Sequence, residues 1–430
     1  MNSHFFSTRP GHPRPVAMRG DGVFLYDDTG KKYLDGSSGA MTANLGHGNP
    51  RVVDRINSQL SLLSFSYRSQ FTNDPLELLS AKIAALAPGD LSSVAFANSG
   101  SEASELAMKL AHSYWKLMQR PEKQRVLSRW NSYHGSTIGA LSMTGNPGRR
   151  REYAPYLSDY PVLELPFCHR CPYEKTYPDC SLFCARVLEK TIRRFGKDTI
   201  SALIAEPVTG ASGAGITPPS DYFPYIARVC KENDILLIMD EVITGFGRTG
   251  KNFASNHWNV VPDIIVFGKG ITSGFGPLSG IIVSEQIRNA FIELDGEFST
   301  GHTFSGNPLS AASANAVLDE IFDNGIIDNV AEKGSYLKRR LNELMQNYSV
   351  IDDVRGMGLL FGIEFSPDKG LTTTIVDLCF SEGLIVYPSS GFIDGIRGDS
   401  ILISPPLTIT IEEIDLLVDL LDAALSKLIV

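Results

Sequence analysis

The chain has 430 residues, 43% of them hydrophobic and 20% charged, with a formal net charge of −9. This is the composition of a globular protein with a large core, long enough for two domains or one large α/β unit. The acidic balance argues against nucleic acid or an anionic membrane as partner. With no transmembrane run or signal peptide in view, a cytoplasmic protein is expected.

Residues 1–20 hold three prolines and read as an arm without its own core. Val23–Tyr26 and Lys32–Leu34, parted by Asp27-Asp-Thr-Gly30, predict a β-hairpin. From about residue 75 to 310, apolar strands alternate with amphipathic helices, the sign of a mostly parallel sheet. The strand candidates are Val94–Ala97, Val126–Trp130, Ala202–Ala205, Ile235–Met239, Ile264–Phe267 and Gly280–Val283. A helical stripe follows Pro308, and a smaller α+β unit closes the chain with strands at Gly362–Phe365 and Ile401–Ile403.

Two of these runs end abruptly in one ionisable residue, Asp240 in the first and Lys269 in the second. Strands this apolar suit a parallel sheet covered on both faces, whose ligands collect outside the carboxyl ends of the strands. An amine and a carboxylate on one rim match what pyridoxal 5′-phosphate requires. The amine holds the aldehyde as a Schiff base, and the carboxylate keeps the pyridine nitrogen protonated so that the ring can withdraw electrons. Two ordinary strand-end charges are the plain alternative, and the surrounding motifs overturn it.

Asn98-Ser-Gly-Ser-Glu-Ala103 opens a helix with Leu106, Ala107, Leu110 and Tyr114 on one face. Ser99 and Glu102 have capping-box spacing, and exposed N–H groups at such a start can also cradle a phosphate. Gly245-Phe-Gly-Arg-Thr-Gly250-Lys251 imitates nucleotide-binding loops, but no helical stripe follows it and residue 252 is Asn rather than Ser or Thr. Four cysteines, Cys168, Cys171, Cys180 and Cys184, have spacing that could close on a structural zinc. Packed or free thiols are the alternative, and no metal is expected in the chemistry.

The ordered set of motifs resembles the class III pyridoxal-phosphate aminotransferases, the ω-aminotransferase group. It runs Leu34-Asp-Gly-Ser-Ser-Gly39, Asn44-Leu-Gly-His-Gly48, Asn98–Ala103, Tyr133-His-Gly135 and Ala205-Glu-Pro-Val208. It continues through Asp240–Gly250, Phe267-Gly-Lys-Gly270, Gly301–Pro308 and Arg355-Gly-Met-Gly358, so it covers nearly the whole chain.

The resemblance implies pyridoxal-phosphate fold type I, an α/β fold with a large, mostly parallel sheet domain and a smaller α+β domain. The corresponding division is 1–70, 71–310 and 311–430. It implies transfer of an amino group from an amine or amino acid to a 2-oxo acid such as pyruvate or 2-oxoglutarate, with Lys269 and Asp240 catalytic. Gly100 and Ser101 would take the phosphate. Tyr133 and Val242 would sandwich the ring, and Glu206 would complete the wall. Thr303 would reach the phosphate of a neighbouring subunit, making the protein a homodimer with shared sites.

His134 is read as structural. At Met41 and its neighbour Ala40 the bulky aromatic of many relatives is missing, which suggests a roomier substrate side. The arginine that often clamps a substrate carboxylate falls on Gly395, while Arg397 stands two residues on and could act from a shifted register. Racemases, aminomutases and lyases share the same cofactor motifs, and a non-catalytic scaffold is the alternative from another class.

Overall fold

The computed structural model describes residues 4, 6, 11, 14–366 and 369–428. Part of the expected N-terminal arm lies outside the described residues. Its last residues, Ala17–Asp21, form a strand paired antiparallel with Phe24–Asp27.

The central sheet has seven strands. Their spatial order is Leu91–Ala97, Ser279–Ser284, Ile264–Phe267, Leu236–Asp240, Ile200–Ala205, Arg125–Arg129 and Val162–Leu163. The last five in this order pair in parallel. Ser279–Ser284 is antiparallel to both neighbours, so Leu91–Ala97 keeps the direction of the rest. Every residue of the strands at 200–205, 236–240, 264–267 and 279–284 is buried, which explains their unbroken apolar sequences.

Alternate side chains still go to opposite faces. Ala202, Ile204, Leu236, Ile238, Ile264 and Val266 pack with Leu106, Leu110 and Tyr114 of the helix Gly100–Leu117. Leu203, Leu237, Met239 and Ile265 pack with Leu188 of Phe183–Phe195 and Phe223 of Tyr222–Glu232. By that alternation Asp240, following Met239, takes the face that carries the helix Gly100–Leu117.

The two ends of the chain meet in further sheets. The expected hairpin forms as Phe24–Asp27 against Lys32–Asp35, and Leu34 pairs in parallel with Leu384 of Leu384–Ile385. A four-stranded sheet runs Ile351–Met357, Leu360–Phe365, Asp399–Ile403, Tyr387–Ser390. A second hydrophobic cluster joins Val23 and Leu34 to Leu337, Phe361, Ile414 and Leu421.

The loop that imitates a nucleotide motif seats a buried arginine instead. Arg248 is fully buried and donates to the carbonyls of Leu359 (3.1 Å) and Pro405 (2.5 Å) and to Asn44 Oδ1 (2.7 Å) and Ser38 Oγ (3.3 Å). Burial lowers its pKa to about 9, Asp35 opposes the fall, and the guanidinium stays charged near neutrality. Gly247 lets the chain approach closely: its φ is +100°, and a Cβ there would lie 2.8 Å from Ile327. Beyond the loop the chain enters a short 3₁₀ helix, Ala254–Trp258, held by Glu241, whose carboxylate accepts from the N–H groups of Ala254 (2.7 Å) and Ser255 (2.8 Å).

Arg248→Met keeps the volume and strands four acceptors away from water. The loss should be about 3–5 kcal/mol, seen as a lower denaturant midpoint. A midpoint within about 0.5 kcal/mol of the unaltered protein would show that the arginine is not what ties these segments together.

Candidate active site

Because the strands share one direction, the segments leaving their carboxyl ends arrive on one rim. Tyr133 and His134 follow Arg125–Arg129, Glu206 follows Ala205, and Asp240 ends its own strand. Lys269 lies two residues beyond Phe267, at a φ of +45°, where a 3₁₀ turn over Lys269–Ile271 bends the chain back. The helix Gly100–Leu117 starts just after Leu91–Ala97. One cavity is lined by Gly100, Ser101, Tyr133, Glu206, Asp240, Val242 and Lys269. Seven residues selected from the sequence therefore meet.

The carboxylates are held by backbone and by a histidine. Asp240 Oδ2 lies 2.7 Å from His134 Nδ1, and Oδ1 accepts the Val242 N–H at 3.1 Å. A carboxylate only accepts, so the hydrogen of this contact sits on Nδ1. The side chain of His134 is fully buried and its Nε2 has no partner, so Asp240 is what orients the ring. Glu206 accepts the N–H groups of Tyr133 through Oε2 and of Gly210 through Oε1, both at 3.1 Å. Burial raises the Glu206 pKa, His134 opposes the rise, and the Asp240 charge adds to it.

Lys269 responds in the opposite sense. Burial lowers its ammonium from an ordinary 10.5 to about 8, while Asp240 and Glu206 pull it up and Arg248 and Arg149 push it down. Such an amine exchanges its proton close to neutral pH.

The helix Gly100–Leu117 brings its free N–H groups to the same space. Ser99 caps it by accepting the Glu102 N–H at 3.3 Å. Only half of the expected capping box forms, because Glu102 turns one residue further back and accepts from Asn98 N–H at 2.8 Å and Asn98 Nδ2 at 3.0 Å. Ser101 Oγ accepts the Ser136 N–H at 3.0 Å, which ties the helix start to the loop after Tyr133. The residues present fit pyridoxal 5′-phosphate by chemistry. There is an amine for the aldehyde, a carboxylate for the ring nitrogen, an aromatic and an aliphatic wall, and a helix N-terminus for the phosphate. Gly100 keeps that wall open, since a Cβ there would press Val242 at 3.2 Å.

Other expected site residues lie elsewhere. Met41 is 1% exposed within the principal hydrophobic cluster and does not line the cavity. Arg397 pairs with Asp394 (Nε to Oδ2, 2.7 Å) and borders a neighbouring cavity with Asn131, Phe167, Arg170 and Phe392. Thr303 is exposed and lies off the cavity of its own chain. The four clustered cysteines are free thiols, and burial raises Cys184 to about 11. Among the described residues the one three-group cluster with metal-ligand spacing is His169, Asp353 and Glu364. It contains no cysteine, and Glu364 is already paired with Arg170 and Arg355.

Reading the sequence alone missed His134, Gly135, Val208 and Ile243, which also line the cavity. Each lies inside one of the motifs quoted above, and membership of those motifs was the available signal.

Comparison with known proteins agrees with this geometry. The family model "Aminotransferase class-III" matches residues 6–425. The uncharacterized aminotransferase YodT of Bacillus subtilis (strain 168) is 42% identical over 98% of this chain and 97% of its own. A putrescine–pyruvate aminotransferase of Pseudomonas aeruginosa is 33% identical over 96% and 90%. The crystal structure of an amine transaminase from an uncultivated Pseudomonas species, in the PLP-bound form, superposes with a TM-score of 0.92 at 34% identity, covering 99% of each chain. The chain therefore belongs to the class-III aminotransferases, enzymes of pyridoxal-phosphate fold type I that work with pyridoxal 5′-phosphate.

Proposed function

We propose that this enzyme moves the amino group of an amine or amino acid, of the ω type, to a 2-oxo acid such as pyruvate or 2-oxoglutarate. The observation that carries the reading is Lys269 and Asp240 on one rim of a cavity walled by Tyr133 and Val242. The putrescine–pyruvate relative supports the donor and acceptor classes. When bound, pyridoxal 5′-phosphate supplies the aldehyde and the electron-withdrawing ring.

The chain's own groups do the rest. Lys269 Nζ, with its pKa near 8, takes and returns the proton of the substrate carbon. Asp240 would hold a proton at the ring nitrogen, and His134 Nδ1–H keeps that carboxylate aimed. Gly100 and Ser101 would hold the phosphate, and Tyr133 and Val242 would wall the ring. Glu206 fixes the Tyr133 backbone.

A homodimer goes with this reading, with Thr303 serving the partner's phosphate. Leu62, Phe71 and Phe304 support it, large apolar side chains that are 82%, 69% and 59% exposed in the single chain. So does the division into 1–70, 71–310 and 311–430, with the first and last parts sharing one core. Among the described residues no helix is long and apolar enough to cross a membrane, and we place the enzyme in the cytoplasm.

A screen of amine and amino-acid donors against pyruvate and 2-oxoglutarate should show ping-pong transfer. Racemisation or elimination without any oxo acid would instead point to the neighbouring chemistries. Borohydride reduction of the holoenzyme followed by peptide mapping should place the cofactor on Lys269. A label on Lys109 or Lys251 would be incompatible with the site.

Asp240→Asn should lower kcat at least ~10²-fold, as loss of a specific catalytic group does. His134→Phe removes one hydrogen bond to a charged group and should cost roughly tenfold. It should also shift the pH at which the visible absorption of the bound cofactor changes, a readout that simple packing damage would not move.

In the cofactor-free protein the sign of the pH effect follows from Lys269. Its folded pKa lies below the unfolded one, so the unfolded chain binds more protons between about pH 8 and 10.5. Stability should therefore rise with pH across that window, by at most about 2 kcal/mol from pH 8 to 10 through this one group. Lys269→Met should remove that contribution, and an unchanged slope in the variant would mean that the amine is not held in its depressed state.

A further inference from the structure

Arg149 is a cation that the reactions above leave unused. It lies on the short helix Pro147–Arg150, where Asn146 Oδ1 accepts its N–H at 3.2 Å. Asn146 is itself buried and donates to Ser212 Oγ at 3.3 Å, so the turn that carries Arg149 is anchored. The neighbouring Arg150 points inward and donates to the carbonyls of Ser142 (3.0 Å) and Thr144 (2.6 Å). Arg149 is exposed and goes the other way. Its guanidinium carbon stands 4.6 Å from the centre of the Tyr133 ring, which lines the Lys269 cavity, so Arg149 stands just outside that lining rather than in it. Among the described residues it has no carboxylate partner, and its charge is felt at Lys269.

The position where the family resemblance would place a carboxylate-binding arginine is closed off on this chain. Gly395 occupies that position with a φ of +85°, and a Cβ there would fall 2.5 Å from Pro147 of the Arg149 helix. No longer side chain fits without moving that helix. Arg397, two residues on, is engaged by Asp394 through both its Nε and its backbone N–H, each at 2.7 Å. The same contact that excludes a side chain at 395 holds the Arg149 helix beside the site.

We propose that Arg149 is the specificity-determining cation of this enzyme. It would bind the carboxylate of the 2-oxo acid, and of α-amino-acid donors, at the Tyr133 side of the cavity. The planar guanidinium can stay on the aromatic ring while its outward N–H groups take both carboxylate oxygens. The inference deepens the transaminase reading and rests on it: the acceptor must be an oxo acid that enters the Lys269 cavity.

The test uses the holoenzyme with one amine donor that lacks a carboxylate and two acceptors, pyruvate and propanal. Arg149→Gln should lower kcat/KM for pyruvate about 10- to 100-fold, the usual effect of losing hydrogen bonds to a charged group, mainly through KM. The value for propanal should stay within about threefold. Arg149→Lys should recover only part of the loss, because an ammonium cannot hold two oxygens side by side. Equal losses on both acceptors would show that Arg149 only braces Tyr133, and that overturns the proposal. So would no loss on either, or the pyruvate-selective loss appearing in Arg397→Gln and not in Arg149→Gln. If the unaltered enzyme transfers no amino group to any oxo acid, the transaminase reading itself fails, which is a separate result.

Discussion

Arg248 is the interaction on which the arrangement of the chain turns. A guanidinium fully removed from water is tolerable only when most of its donors are met; here four acceptors serve its two terminal nitrogens, and Nε is left without a partner. Ser38 and Asn44 belong to the first 44 residues of the chain, and Leu359 and Pro405 to its last fifth. The arginine itself sits eight residues beyond Asp240. One cation thus brings both ends of the chain against the rim that carries the chemistry. Its cost in desolvation secures position rather than bulk stability.

The same dryness sets the electrostatics of the cavity. Loss of water disfavours the charged form of any group, so it raises the Glu206 carboxyl and lowers the Lys269 amine at once. Asp240 is held by direct contacts, with His134 Nδ1 on one oxygen and the Val242 N–H on the other. Two carboxyl groups on one rim thereby acquire different tasks. Glu206 braces the Tyr133 backbone, and in the proposed reading Asp240 is the partner for a cationic ring.

Much of this was legible in the sequence. The uninterrupted apolar runs Ile235–Met239 and Ile264–Phe267 announced strands covered on both faces, and the ionisable residues that stop them announced the rim. The residues that escaped notice share a reason. His134 was read as structural. Nothing in linear order says that it lands 2.7 Å from a carboxylate 106 positions away. Tyr387–Ser390 escaped because Pro388 argues against a strand, and the structure resolves the conflict by placing it at the sheet edge, where a missing N–H costs little. Val162–Leu163 is too short to have a period. Half of the capping box failed since Asn98 offers Glu102 two donors where Ser99 offers one.

The pairing of Leu34 with Leu384 has a consequence for the chain as it is made. Lys32–Asp35 leaves the ribosome early, and its parallel partner follows about 350 residues later. At about 5–20 residues per second that is a delay of roughly 20–70 s, during which the strand edge stays open. Edges of this kind invite pairing with other nascent chains. This one is only four residues long, begins with a lysine and ends with an aspartate, which limits what it can capture. The central sheet, by contrast, is complete by residue 284 and can close before the C-terminal segments emerge. The order of synthesis therefore completes the central sheet first and delivers two of the four acceptors of Arg248, the Leu359 and Pro405 carbonyls, last.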